Sequence, residues 1–179
     1  RRSILLITGL TQIGDKLDIT NQIELELYFS EHSDTILFPV LAEMYLKSKD
    51  LKRARKVCDI GFNYHENDIS GWFVYAKIEK AEGNLKGVEK ALEKVLLYSN
   101  NHVAAAEMLC EVQTVLGRAT NRIIKSWKHV LKLNPMHQTA IDFIQKVEST
   151  NKNIQAKPQN SVSSKSSVSK QSYKKASFK

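Results

Sequence analysis

A repeat with a period of about 34 residues narrows the folds open to this chain more than any other feature. Leu41-Ala42, Tyr75-Ala76 and Leu109-Cys110 recur at equal steps, and Ala54, Val88 and Ile123 follow at that same step and then one position more. The pattern runs from about Thr35 to His137. A unit this short cannot bury its own apolar face, so stacking on its neighbours must supply the core. Seven Gly and three Pro among 179 residues are few, as helices require. Arrays of this kind present surfaces more readily than they enclose reactions.

Punctuation places the helices. Asp34 is the candidate cap of a helix ending near Ser48, and Lys49-Asp50 turns into a second helix from Leu51 to about Tyr64. Asn67-Asp68 opens the next helix and Gly83-Asn84 breaks it, while Asn100-Asn101 and Asn134-Pro135 end the two later second-position helices. Pro39 has no N–H to donate and must fall in a first turn. The third unit's extra residue is expected in Leu116-Gly117-Arg118-Ala119, a turn, where insertion is best tolerated.

The residues within each unit resemble the tetratricopeptide repeat (TPR) family. The first unit has Phe38, Leu41, Ala42 and Tyr45, then Ala54 and Cys58. The second has Trp72, Tyr75 and Ala76, then Val88 and Leu92. The third has Ala106, Leu109 and Cys110, then Ile123, Trp127 and Pro135 at the family's spacing. The resemblance implies an all-α, TPR-type helical-hairpin solenoid with about three repeats at 35–137. A degenerate N-terminal repeat at 1–34 would precede it, with a first helix at 4–14 and a second from Ile19 to Phe29. A capping helix at 138–149 would close it, with Ile141, Ile144 and Val147 on one stripe and charges elsewhere. Trp72 and Trp127 occupy aromatic slots of the repeat and are expected in the core.

Net charge needs to be divided along the chain. All 19 acidic residues and 20 of the 27 Lys and Arg lie in 1–149, so the body is close to +1. Residues 150–179 carry seven Lys, eight Ser and no acid, so the overall +8 resides mainly there. Ile154, Val162, Val168, Tyr173 and Phe178 are scattered without a period. Such a segment cannot bury enough surface to offset ordering at roughly 1–2 kcal/mol per residue, and it is expected to be disordered. It reads as a solubilising terminus or, alternatively, as a weak, non-specific tether to nucleic acid or anionic lipid.

No catalytic signature is present: GxSxG, HExxH, a phosphate-binding glycine loop and EF-hand spacing are all missing. His32 and His65 fall at equivalent turns and read as solvated; neighbouring repeats would hold them roughly 10 Å apart, too far to share a zinc ion. Cys58 and Cys110 fill packing slots, on different repeats and without a CxxC, so no metal or cofactor is expected. Glu89 and Glu93, beside Lys90 and Lys94, have the pattern of an exposed helix face. The run Ile4 to Ile7 is too short to span a bilayer, and a cytoplasmic location is expected.

The resemblance places the functional surface along the first helix of each hairpin. In this chain that peptide-binding groove would comprise Ile36, Pro39, Glu43 and Leu46, then Phe73, Lys77 and Lys80, then Glu107, Glu111 and Thr114. Family members that clamp an acidic C-terminus carry Lys, Asn and Arg there; Pro39, Glu43, Ala104 and Met108 do not fit that role. A mixed groove suits an amphipathic helix or an extended peptide. The expected function is therefore a non-enzymatic protein-binding adaptor or assembly factor. A nucleic-acid- or membrane-associated protein tethered by its basic tail is the alternative, and a fragment of a larger enzyme or secretion factor stays open.

Overall fold

The computed structural model of the protein describes residues 17–155. The first helix expected at 4–14, and the Lys/Ser-rich segment from residue 156 onward, lie outside the described residues. Among the described residues the regular structure is entirely helical: α1 Gln22–Glu31, α2 Phe38–Lys47, α3 Leu51–Phe62, α4 Ile69–Ala81, α5 Leu85–Tyr98, α6 Val103–Val115, α7 Thr120–Leu133 and α8 Gln138–Gln155. The pairs α2/α3, α4/α5 and α6/α7 form three hairpins, each with a helix A and a helix B. Each hairpin packs on the next: α3 on α4, and α5 on α6.

Backbone chemistry repeats with the period. Lys49, Gly83 and Gly117, one repeat apart from each other in turn, hold the left-handed conformation at φ 63°, 77° and 61°. The amide that follows each one reaches back to close helix A: Asp50 to Tyr45 O at 2.9 Å, Asn84 to Glu79 O at 2.9 Å, Arg118 to Gln113 O at 3.0 Å. Asp50 and Asn84 then cap helix B, accepting from the amides of Arg53 at 3.0 Å and Gly87 at 3.2 Å. The extra residue of the third turn breaks this pattern. The α7 cap is Ala119, which has no side chain to accept with.

Two helix starts differ from those expected. α1 begins at Gln22, because the Asn21 side chain accepts from the amides of Ile23 and Glu24. α2 begins at Phe38, with Leu37 at the cap, and Asp34 caps nothing. Pro39 is the reason. A helix starting at Thr35 would drive the proline ring against the Thr35 carbonyl and deprive it of a donor. Starting at Phe38 leaves Pro39 in the first turn.

Three apolar clusters form the core. Leu25 and Phe29 of α1 join Phe38, Leu41, Ala42, Ala54, Val57, Cys58 and Ile78 in the first. Phe38 is fully buried, and a Cβ on Gly61 or Gly71 would collide with its ring, so two glycines make the slot that seats it. The second cluster joins Ala76, Val88, Leu92, Val95, Ala105 and Leu109, and the third joins Ala106, Cys110, Ile123, Trp127, Val130 and Ala140. Trp127 meets Phe143 at 5.9 Å between ring centroids, as its core slot requires.

The helix expected at 138–149 runs on to Gln155 as α8. Its inward stripe is Ala140, Phe143 and Ile144, one residue out of step with the expected Ile141 and Val147. Among the described residues, those to Ile144 form one compact unit, and those from Gln145 belong to a second. In the latter, the hydroxyls of Ser149 and Thr150 donate to Lys146 O at 2.9 and 2.8 Å. No described helix is long and apolar enough to cross a membrane.

Candidate interaction surface

Helices A carry the expected groove residues in three rows, each row taking one residue per repeat: Pro39, Phe73 and Glu107; Glu43, Lys77 and Glu111; Leu46, Lys80 and Thr114. Lys77 Nζ donates to both Glu43 carboxylate oxygens at 3.2 and 3.1 Å, tying α4 to α2. It also lies 5.0 Å from the Phe73 ring centre. Phe73 in turn meets His102 at 4.6 Å, and Glu107 lies 3.3 Å from His137 Nε2. Pro39 and Glu43, with Val40, Met44, Ser70 and Val74, line a cleft of about 280 Å³.

The ten residues therefore divide. Pro39 is buried, and Leu46 and Phe73 are half-buried against the first and second core clusters, so these three belong partly to packing. Glu43, Lys77 and Glu107 face the expected surface but are engaged with neighbouring side chains. Ile36, Lys80, Glu111 and Thr114 are exposed. The Thr114 hydroxyl donates to Cys110 O at 2.8 Å.

The interfaces between hairpins hold two ionic clusters. Arg55 on α3 donates to Glu79 at 2.8 Å, to the Tyr75 hydroxyl oxygen and to Glu82. Asn84 Nδ2 donates to the other Glu79 oxygen at 2.6 Å. Burial pushes the Glu79 carboxyl up, but Arg55 and Asn84 outweigh it and hold it below the usual range. One hairpin further on, Glu93 is exposed, as its spacing suggests, but Glu89 is not part of a solvated face. Glu89 is 4% exposed, accepts from Arg118 at 2.5 Å and lies 3.1 Å from Arg122, which also pairs with Glu93. Neither acid's partner is visible in an i,i+4 pattern, because both arginines arrive from the next hairpin, one from its turn and one from α7.

Trp72 also departs from expectation. It stacks on Phe62 at 4.1 Å, and its Nε1 donates to Glu66 O at 2.7 Å. Yet it is only half-buried, and it helps line a groove of about 800 Å³ with Tyr75, Lys86, Lys90, Lys94 and Leu97. A second groove of about 690 Å³ opens one hairpin later, between α5 and α7, with Leu96, Ala106 and Leu109 among its lining. Both lie on the helix B side, away from the groove inferred from sequence. Cys58 and Cys110 are fully buried, and burial pushes each thiol up to about 12, so neither is a nucleophile at neutral pH. His65 bonds through its ring to Asp34 O, and His102 caps α6, accepting from Ala105 N at 3.1 Å; these turn histidines hold backbone.

No protein-family model matches the sequence, and no curated protein matches it. Among solved structures, the crystal structure of MamA protein superposes with a TM-score of 0.58 at 10% identity, over 76% of this chain and 85% of that one. The likeness is one of fold. With the three in-register hairpins, it establishes an all-α solenoid of TPR-type helical hairpins.

Proposed function

We propose that the protein is a non-enzymatic adaptor that binds a peptide or helix of a partner protein along its helix A side. The observation that supports this reading is the in-register triple Glu43, Lys77 and Glu111. It places alternating charge on successive helices A, and its first member, Glu43, lines the cleft with Pro39 and Val74. Alternating charge with apolar gaps suits a mixed-charge ligand and disfavours a clamp for one carboxylate. Lys80 and Glu111 are exposed and have no ion pair among the described residues, so they are the side chains freest to meet a ligand.

The test is selection of a displayed peptide library on the full chain, followed by affinity measurement on a Lys80→Glu, Glu111→Lys double variant. The expected result is binders whose affinity falls at least tenfold in the variant while its melting temperature is unchanged. Binders indifferent to the double variant would place the ligand elsewhere and sink this reading.

A further inference from the structure

We propose that the groove between α5 and α7 binds an extended, acidic and partly apolar peptide segment of a partner protein. It is a second docking site on the helix B side, independent of the helix A reading. The groove holds about 690 Å³, within the range of ligand-sized clefts. One wall is α7, whose sequence contains no acidic residue. Lys125, Lys128 and Lys132 stand at i, i+3 and i+7 on that helix, and all three line the groove. None has an ion pair among the described residues, whereas Arg122 beside them is already neutralised by Glu89 and Glu93. The unpaired charge of the groove is therefore positive. Leu96, Ala106 and Leu109, with Ile124, supply the apolar surface.

The dimensions select the form of the occupant. Arg122 reaches across to Glu93 on α5, and His129 Nε2 bonds Asn100 O at 2.8 Å, so α7 is tied both to α5 and to the segment just past its end. A third helix, about 10–12 Å across, does not fit between helices so bound. From Lys125 to Lys132 the helix rises about 10 Å at roughly 1.5 Å per residue. A strand-like segment covers that distance in about three or four residues at roughly 3.3 Å each. Its side chains alternate, so carboxylates can face the lysines while apolar groups face the leucines. Asn100 and Asn121 line the groove and offer amides to its backbone.

Other occupants fit less well. Residues 156–179 of this chain carry Lys and no acid, so their charge repels the wall. Single-stranded nucleic acid needs aromatic platforms for its bases, and the lining contains no Phe, Tyr or Trp.

The test uses the full chain and a fluorescent hexapeptide alternating Glu with Leu, read by anisotropy. Controls are the same peptide with Lys for Glu and a six-nucleotide single strand. Lys125→Ala, Lys128→Ala and Lys132→Ala together keep good helix formers on α7, and circular dichroism checks the fold. The expected result is at least tenfold weaker acidic-peptide binding in this triple variant and recovery to within about threefold with three arginines. Alanines at Lys86, Lys90 and Lys94 in the neighbouring groove should leave binding within about threefold. Undiminished peptide binding in the α7 variant overturns the proposal. So does equal loss from the neighbouring groove, or oligonucleotide binding that is tighter than the peptide's and lost with the same lysines.

Discussion

The second and third hairpins are built on one spacing but use different chemistry at matching positions. Glu79 on α4 and Gln113 on α6 occupy the same place in successive repeats, and both are almost fully buried. Arg55, on the preceding helix B, stands opposite Glu79, but its counterpart by register one repeat later is Glu89. A second Glu at 113 would bring like charges together at the α5–α6 interface. Glutamine removes that conflict, and its Oε1 accepts from Ser126 at 2.8 Å. Glu89 then needs cations from elsewhere: the lengthened turn before α7 supplies Arg118, and the first turn of α7 supplies Arg122. The insertion thus costs α7 its side-chain cap but solves a charge problem. A buried acid left alone would be far more costly than a missing cap.

The most severe test of the comparison is in the core. Trp127 and Leu92 sit at matching positions, and both are buried. Trp127→Ala should destabilise by about 3–5 kcal/mol and Leu92→Ala by about 2–5 kcal/mol, measured by urea unfolding. Trp127 Nε1 has no hydrogen-bond partner, so Trp127→Phe forfeits no bond and should cost clearly less than the alanine. If Trp127→Ala shifts the midpoint negligibly, the third hairpin does not hold its tryptophan as the second holds its leucine.

Next in size are the buried polar positions. Glu79→Gln keeps one acceptor oxygen where the carboxylate accepts from both Arg55 and Asn84, so one of those bonds and the charge of the pair go, a loss of about 1–3 kcal/mol. The Glu79 carboxyl titrates below its ordinary value of 4.5 in the folded chain, so its stabilisation is present above that pH and fades as pH falls through the lowered folded value. Acid unfolding of the parent should steepen below about pH 4.5, and Glu79→Gln should flatten that part of the curve. Gln113→Glu should do the reverse: destabilise at neutral pH by a similar amount and recover on acidification. A Gln113→Glu variant as stable as the parent at neutral pH would refute the like-charge argument.

What the sequence made legible follows from how local each determinant is. Helix count, hairpin pairing and the Trp127 slot depend on periodicity and turn residues, which are printed along the chain. Pro39 excluded a helix begun at Asp34 by its own chemistry, though that conflict became visible only when the two were placed on one helix. Long-range determinants were hidden. The burial of Glu89 depends on arginines that belong to the next hairpin, and the half-exposed Trp72 lines an open groove with residues of α5. The proposed groove residues were chosen by register, but register could not show that Lys77 is engaged by Glu43, or that Phe73 packs on the second cluster.

Smaller effects probe the turns. Ala119→Ser restores an accepting side chain at the α7 cap and should stabilise by about 1 kcal/mol, as Ser-for-Ala caps do. The same change should have no counterpart in the second hairpin, where Asn84 already fills that position. A serine that brings no gain in unfolding midpoint would mean that Arg118 and Arg122 hold the α7 start so firmly that its cap is immaterial.

The smallest expected change lies at the first hairpin turn and carries the comparison back to it. Gly83 and Gly117 hold φ of 77° and 61° without cost, since glycine lacks the Cβ that makes this region unfavourable. Lys49 holds 63° at the matching position with a full side chain. Left-handed backbone costs an L-residue roughly 1 kcal/mol, partly offset by the entropy glycine adds to the unfolded chain. Lys49→Gly should therefore raise stability by at most about 1 kcal/mol, with the Asp50 amide still donating to Tyr45 O and its side chain still capping α3. Lys49→Ala, which keeps a Cβ, should give none of that gain. Equal midpoints for the glycine and alanine variants would show that the turn is held by its hydrogen bonds alone and that the Cβ at position 49 is not strained.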